Sequence, residues 1–306
     1  MALIAIRWAL YVDLGLLFGL PLFALYALGG GRAKLRHLPM VASLISLAAL
    51  GLILSSLGFV IQGAAMAGVP FTHPDMPILG DLLDETALGL ALKIRGLALL
   101  VLLIGAALQR RLPRGGMVVA TLAGAVALAT LAWSGHGAAG EGEAGWLQLA
   151  GDLLHLFAAG AWGGAIAAFL LLTRPKIAPD DMERAILAER ALRGFASVGT
   201  LIVGLLILTG AINGAFLVGP DHVLALGQST YGLLLIAKLL LFAAMVGLAG
   251  LNRFRLTPAL GIAIAQQDAA AAMVLLRKSL LVEGFLAVVI LGLVAWLGTL
   301  SPPMSV

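Results

Sequence analysis

The chain has 306 residues, of which 61% are hydrophobic and 11% are charged, whereas a soluble domain is roughly half apolar and about a quarter charged. This composition excludes an ordinary soluble domain and is typical of a protein surrounded by lipid. The excess of 19 Lys and Arg over 15 Asp and Glu is small and is not gathered on a soluble module, so it does not indicate nucleic-acid binding. The chain contains no cysteine, which excludes thiolate metal sites and leaves Met or His as ligands for a soft metal.

Apolar segments long enough to span a membrane recur eight times along the chain. A spanning helix needs about 20 mostly apolar residues, and no connection between these segments has room for a soluble domain. The predicted spans are residues 8–28, 40–67, 86–108, 116–134, 146–172, 194–218, 230–251 and 279–300. The sequence therefore predicts an all-α fold, a polytopic membrane helix bundle that forms a single transmembrane domain over residues 1–306.

The first span follows Arg7 and has some features of a cleaved signal peptide. Its apolar run from Trp8 to Leu28 is longer than a signal core of about 7–15 residues, and it carries Asp13. We therefore expect it to be retained as a membrane helix. Of the two longest connections, 173–193 is predicted to be a charged helix and 252–278 to hold a helix lying on the membrane surface.

The basic residues alternate between the predicted loops. Fifteen of the 19 Lys and Arg residues lie in loops 29–39, 109–115, 173–193 and 252–278. The intervening loops carry acidic residues and no Lys or Arg; these are 69–85, 135–145 and 219–229. Because basic residues are retained on the cytoplasmic side of a membrane, this pattern predicts that both termini lie on the outer face.

Three pairs of glycines are spaced four residues apart within predicted spans. They are Gly15 and Gly19, Gly160 and Gly164, and Gly210 and Gly214. Small residues at this spacing let two membrane helices approach closely, so each pair predicts tight helix packing.

Ionisable and polar residues within the spans collect in the outer half of the membrane. Such residues are costly in lipid and mark a functional site by default. The set is Asp13, Lys93, Arg95, His136, Asp152, His155, Asn213 and Lys238. Snorkelling to the interface accounts for the Lys and Arg residues individually, but an outward-open polar cavity accounts for the whole set. Glu283 is the exception, because it lies near the inner end of the last span. We expect Asn252, Arg253 and Arg255 at the same depth, and a salt bridge there.

The predicted span 146–172 has one polar stripe, since Asp152, His155 and Trp162 share a helical face. A carboxylate one turn from an imidazole can fix its tautomer and leave the other ring nitrogen free for a metal. A plain hydrogen bond between packed helices is the alternative. His136 is expected close to His155 because a short loop joins their helices. We therefore predict His136 and His155 as metal ligands, with Asp152 and Asp13 in support.

A second group of candidate ligands lies in the outer loop Phe71–Pro77. His73, Asp75 and Met76 lie within four residues of each other, with Met66 just before the loop. Imidazole and thioether suit copper, although carboxylate is a harder ligand. The loop is predicted to be either an access path for a metal or a solvated turn.

Recognisable catalytic motifs are missing from the sequence. It contains no phosphate loop of the G-x-x-x-x-G-K-[ST] type, no H-E-x-x-H and no G-x-S-x-G. We therefore expect neither an enzyme nor an ATP-driven pump.

An ordered set of residues, clearest over 130–303, carries a family resemblance. It comprises Ser134-Gly135-His136, His155, Trp162-Gly163-Gly164, Asn213, Ser229-Thr230-Tyr231-Gly232, Lys238, Asn252-Arg253, Pro258, Lys278-Ser279, Glu283 and Pro302. This set resembles the CopD (PcoD) family of bacterial copper-resistance inner-membrane proteins. The resemblance implies a multi-pass inner-membrane protein that takes up copper ions from the periplasm, beside a periplasmic CopC-like copper-binding partner. It also implies that Trp162, Asn213 and Lys238 support the site.

Two other functions remain open from the sequence. Two histidines on adjacent helices can hold a haem iron in an electron-transfer cytochrome, but His155 lies about 13 Å below the start of its helix, while His136 lies near the surface. The chain is alternatively a copper-protein assembly partner that transports nothing.

Overall fold

The computed structural model describes residues 1–31, 38–134, 142–174, 181–219 and 226–303, and over these ranges it is helical without strands. The helices are α1 Ala2–Tyr26, α2 Met40–Ala67, α3 Met76–Glu85, α4 Ala87–Leu108, α5 Pro113–Ala129, α6 Gly142–Leu172, α7 Asp181–Leu217, α8 Thr230–Leu251, α9 Thr257–Ala265 and α10 Ala270–Leu297. A 3-10 turn lies at Ala132–Ser134, and a π-helical turn, Asn252–Leu256, joins α8 to α9.

The predicted polytopic bundle is confirmed by the lengths and apolarity of the helices. Within the described ranges, seven helical stretches are long and apolar enough to cross a membrane. The remaining predicted span is the shorter apolar helix α5, whose 17 residues are at the lower end of the usual spanning length, roughly 17–25 residues. All eight predicted segments are therefore helices.

Helix α1 lies at the centre of the bundle. It packs against α2, α5, α6 and α10. Its residues Leu14, Leu17 and Phe23 are fully buried, as expected for a helix that is apolar on all sides. The first predicted span is thus packed between four other helices of the bundle.

Both ends of the chain lie on the same side of the bundle. Arg7, near the start of α1, donates from Nη1 to the carbonyl oxygen of Gly298, just after α10, over 2.9 Å. An even number of spans requires this arrangement. We call this side outer and the opposite side inner, following the predicted topology.

Glycines bring α1 and α6 into close contact. A Cβ atom placed on Gly19 would lie 2.8 Å from the Cα atom of Gly164, and one on Gly15 would lie 3.7 Å from the Cα atom of Gly160. The predicted tight packing is confirmed for these two pairs. It is wrong for the pair on α7, since a Cβ atom on Gly214 would meet nothing within 4 Å.

Two connections differ from the prediction. The outer loop contains α3, whose N-terminus is capped by Asp75, because Oδ1 of Asp75 accepts from the backbone N–H of Ile78 over 3.2 Å. The segment after α8 is not a separate surface helix, because the π-helical turn and α9 continue α8. The charged stretch before residue 193 is helical as predicted and forms the start of α7.

Candidate functional site

A polar cavity, which we call the outer cavity, lies in the outer half of the bundle between α1, α6, α7, α8 and α10. Its volume is about 190 Å³, enough for several water molecules, since one water needs about 10–15 Å³. Its polar lining side chains are Arg7, Tyr11, Asp152, His155, Asn213, Tyr231 and Lys238. Gly210 and Gly214 also line it. A Cβ atom on Gly214 would meet nothing within 4 Å, so the lack of a side chain there leaves part of this space open.

The ring of His155 is held by a threonine of the neighbouring helix. Nδ1 of His155 lies 2.8 Å from Oγ1 of Thr209, and the hydroxyl of Thr209 donates to the carbonyl oxygen of Leu205 over 2.6 Å. Because a hydroxyl has a single proton to donate, Oγ1 of Thr209 accepts from His155, and the proton of the ring lies on Nδ1. The lone pair of Nε2 is therefore available to a ligand.

Asp152 has a different partner from the one predicted. Its Oδ1 accepts from Nδ2 of Asn213 over 2.6 Å, so Asp152 does not orient His155 and that prediction is wrong. Residues one turn apart on α6 share a face, but side chains of α7 come closer to each of them. Asn213 joins the outer cavity as expected, and its Oδ1 atom is buried with no hydrogen-bond partner in the described part of the chain.

Lys238 reaches the outer cavity from α8, opposite the carboxylate of Asp152. The charges of these two described residues interact electrostatically without a direct ion pair. Charges interact more strongly here than in water because the surroundings have a low dielectric constant. A cation that approaches Asp152 must therefore compete with the ammonium group of Lys238.

Two predicted supporting residues lie elsewhere. Asp13 is 2% exposed and faces α2 and α4, where a Cβ atom on Gly51 would lie 2.6 Å from its Oδ2. Both of its carboxylate oxygens lack a hydrogen-bond partner among the described residues. Trp162 lies two turns further along α6 than His155 and donates from Nε1 to Oε1 of Glu283 over 2.8 Å. Neither residue lines the outer cavity.

The candidate access path lies on the surface. Met66, His73, Asp75 and Met76 are exposed, and none of them lines the outer cavity. His136 lies outside the described residues, so its predicted role as a ligand stays a prediction.

The described residues offer few metal ligands in one place. Over the ranges that the structure describes, no group of three or more His, Cys, Asp or Glu side chains could hold a metal ion. The outer cavity provides Nε2 of His155 and the carboxylate of Asp152. Imidazole is a good copper ligand.

Arg7 and Tyr11 of the cavity lining were not predicted from the sequence, and neither was Thr209. It is nearly fully buried, at 1% exposed, and lies one turn before Asn213 on α7. The signal in the sequence was this spacing of two polar residues, since positions i and i+4 share one face of a helix.

Comparisons with known proteins point to copper. Residues 1–146 match the family described as "Copper resistance protein D-like, N-terminal domain", and residues 189–297 match "Copper resistance protein D". Copper resistance protein D of Pseudomonas syringae pv. tomato is 42% identical over 303 residues, covering 99% of this chain and 97% of that protein. Copper transport protein CutJ of Bacillus subtilis (strain 168) is 32% identical over 252 residues, covering 80% of this chain and 45% of that protein. No solved structure matches.

Proposed function

The chain belongs to the copper resistance protein D family, and we propose that it moves copper ions from the periplasm to the cytoplasm across a bacterial inner membrane, in copper homeostasis and resistance. The observation that carries this proposal is the free Nε2 atom of His155, fixed by Thr209 beside Asp152 in the outer cavity. The names of the two relatives, one for copper resistance and one for copper transport, support copper as the cargo.

The residues of the outer cavity have distinct parts in this proposal. Copper arrives from the periplasm, where a CopC-like protein delivers it, and binds Nε2 of His155. The ion adds positive charge to the cavity and competes with Lys238 for the carboxylate of Asp152. Asn213 holds the carboxylate of Asp152 in place. When the ion leaves towards the cytoplasm, Lys238 again compensates Asp152.

Replacing Thr209 with valine tests the role of the histidine ring in copper uptake. The substitution keeps the shape of the side chain but removes the acceptor for Nδ1–H, so the free nitrogen is no longer fixed towards the cavity. Loss of such an orienting partner weakens metal binding about 10–100-fold. We expect the copper concentration at half-maximal uptake into membrane vesicles to rise by about this factor.

Thr209→Ser is the matched control for this experiment, because it keeps the hydroxyl group and should keep uptake close to the wild-type value. If Thr209→Val and Thr209→Ser take up copper equally well, the hydroxyl does not orient a copper ligand. If wild-type vesicles take up no copper, the transport proposal is wrong and an assembly role is favoured.

A further inference from the structure

A second cavity, which we call the inner cavity, lies on the inner side of Trp162. Its volume is about 280 Å³, and its polar lining side chains are Trp162, Thr200, Asn252, Arg253, Thr257 and Glu283. Trp162 follows His155 by seven residues on α6, which is about 10 Å along the helix axis. Helix α6 therefore connects the outer and inner cavities.

The carboxylate of Glu283 is buried in this cavity, and none of the described residues provides it with a cationic partner. Glu283 is 3% exposed. Its Oε1 accepts from Nε1 of Trp162 over 2.8 Å, and its Oε2 accepts from Nδ2 of Asn252 over 2.9 Å. Both donors are neutral, and a buried carboxylate that lacks a cation is unfavourable in a membrane protein.

The charged groups around Glu283 are directed elsewhere. On the π-helical turn, Arg253 donates to Oγ1 of Thr200 and to the carbonyl oxygen of Ala196. On α7, Arg193 is paired with Glu189. On α10, Arg277 donates to the carbonyl oxygen of Leu170, and Lys278 lies more than one turn away along the helix. The described residues of α9 carry no charge, and the titratable group of α6 nearest in sequence to Trp162 is His155.

Asn252 is suited to both protonation states of Glu283. In the present arrangement it donates Nδ2–H to the carboxylate, while its own Oδ1 atom is buried without a hydrogen-bond partner in the described part of the chain. Rotation of the amide by half a turn would place Oδ1 against Oε2, where it can accept the O–H of a protonated carboxyl group. Asn252 is also the first residue of the π-helical turn, a feature common at functional sites.

We propose that Glu283 and Asn252 form a proton-binding site in the inner cavity, through which proton movement is coupled to the movement of copper. Oε2 of Glu283 takes up a proton from water on one side of the membrane and forms an O–H bond. This bond breaks when the proton is released to water on the other side of the membrane. Trp162, which donates to Glu283, transmits the change in protonation of Glu283 to α6, the helix that carries Asp152 and His155. This inference rests on the proposed copper transport for its coupling, but not for the proton site itself.

Infrared difference spectroscopy of the purified protein between acidic and alkaline pH tests the proton site. We expect a band from a protonated carboxyl group that is absent from Glu283→Gln and retained in Asp268→Asn, a matched control because Asp268 is exposed on the inner side. The tryptophan fluorescence should change over the same pH range in the wild type but not in Trp162→Phe, which keeps the test valid if Glu283→Gln fails to fold. A carboxyl band that persists in Glu283→Gln, or a fluorescence change that persists in Trp162→Phe, would overturn the site.

Vesicles with a trapped pH indicator test the coupling. Copper uptake by the wild type should change the internal pH, whereas Glu283→Gln should abolish the pH change and Asp268→Asn should keep it. Copper uptake by the wild type without a pH change would overturn the coupling. If the wild type and the variants all fail to move copper, while the carboxyl band of Glu283 still changes with pH, the proposed function and the coupling are wrong and the proton site stands.

Discussion

Replacing His155 with alanine is expected to abolish the copper accumulation that the protein confers on bacterial cells. His155 is the one histidine among the described residues that lines the outer cavity, and its Nε2 is the ring nitrogen not bonded to Thr209. Asp152, its neighbour, offers only a hard oxygen ligand, which binds copper less well. Cells that express His155→Ala should therefore contain no more copper than cells without the protein, as measured by elemental analysis of washed cells.

Leu154→Ala is the matched control for this experiment. Leu154 precedes His155 on α6, is 48% exposed and lies outside the outer cavity, so the control should accumulate copper like the wild type. Both variants must be present in the membrane in equal amounts. Unchanged accumulation by a folded His155→Ala variant would show that His155 is not part of the copper path.

Replacing Gly214 with leucine is expected to block the outer cavity while leaving the helix bundle intact. A Cβ atom at this position meets nothing within 4 Å, so a larger side chain projects into the cavity without moving the backbone. An ion in transit needs this space, and we expect copper uptake into vesicles to fall to the background level while the melting temperature stays near that of the wild type.

Gly204→Leu provides the comparison on the same helix. Gly204 is exposed, a Cβ atom there also meets nothing within 4 Å, and the residue lines none of the cavities described above. This variant should take up copper normally. Equal uptake by Gly214→Leu and Gly204→Leu would mean that copper does not pass through the outer cavity.

The spans could be predicted from the sequence because each depends on local composition. A membrane requires about 20 consecutive apolar residues for each helix, and such runs can be recognised directly in the sequence. The signals for α3 were also present, since Asp75 is a favourable N-cap residue and Pro77 suits the first turn of a helix. The same segment also fits a metal-binding loop, because His73, Asp75 and Met76 are potential ligands, and the sequence alone does not distinguish the two.

The partners of the polar residues could not be predicted, because they come from other helices. The stripe on α6 correctly placed Asp152, His155 and Trp162 on one face, but a stripe runs the length of a helix and crosses more than one cavity. Trp162 therefore contacts Glu283, while His155 contacts Thr209. Spacing within one helix contains no information about which neighbour approaches it.

Two further differences have the same origin. Asn252 was expected at the depth of Glu283 and bonds to it, but the predicted salt bridge is wrong because Arg253 turns towards Thr200. The small size of Gly214 permits either close packing or empty space, and only the positions of the neighbouring helices decide between them.

The most direct test of a copper site in the outer cavity is the metal content of the purified protein. After incubation with copper and removal of the excess, the wild type should retain copper near one equivalent, and His155→Ala should retain none. The visible spectrum should contain no haem band. Equal copper in the wild type and His155→Ala would contradict the assignment of the site, and a haem band without bound copper would show that the protein is an electron-transfer cytochrome.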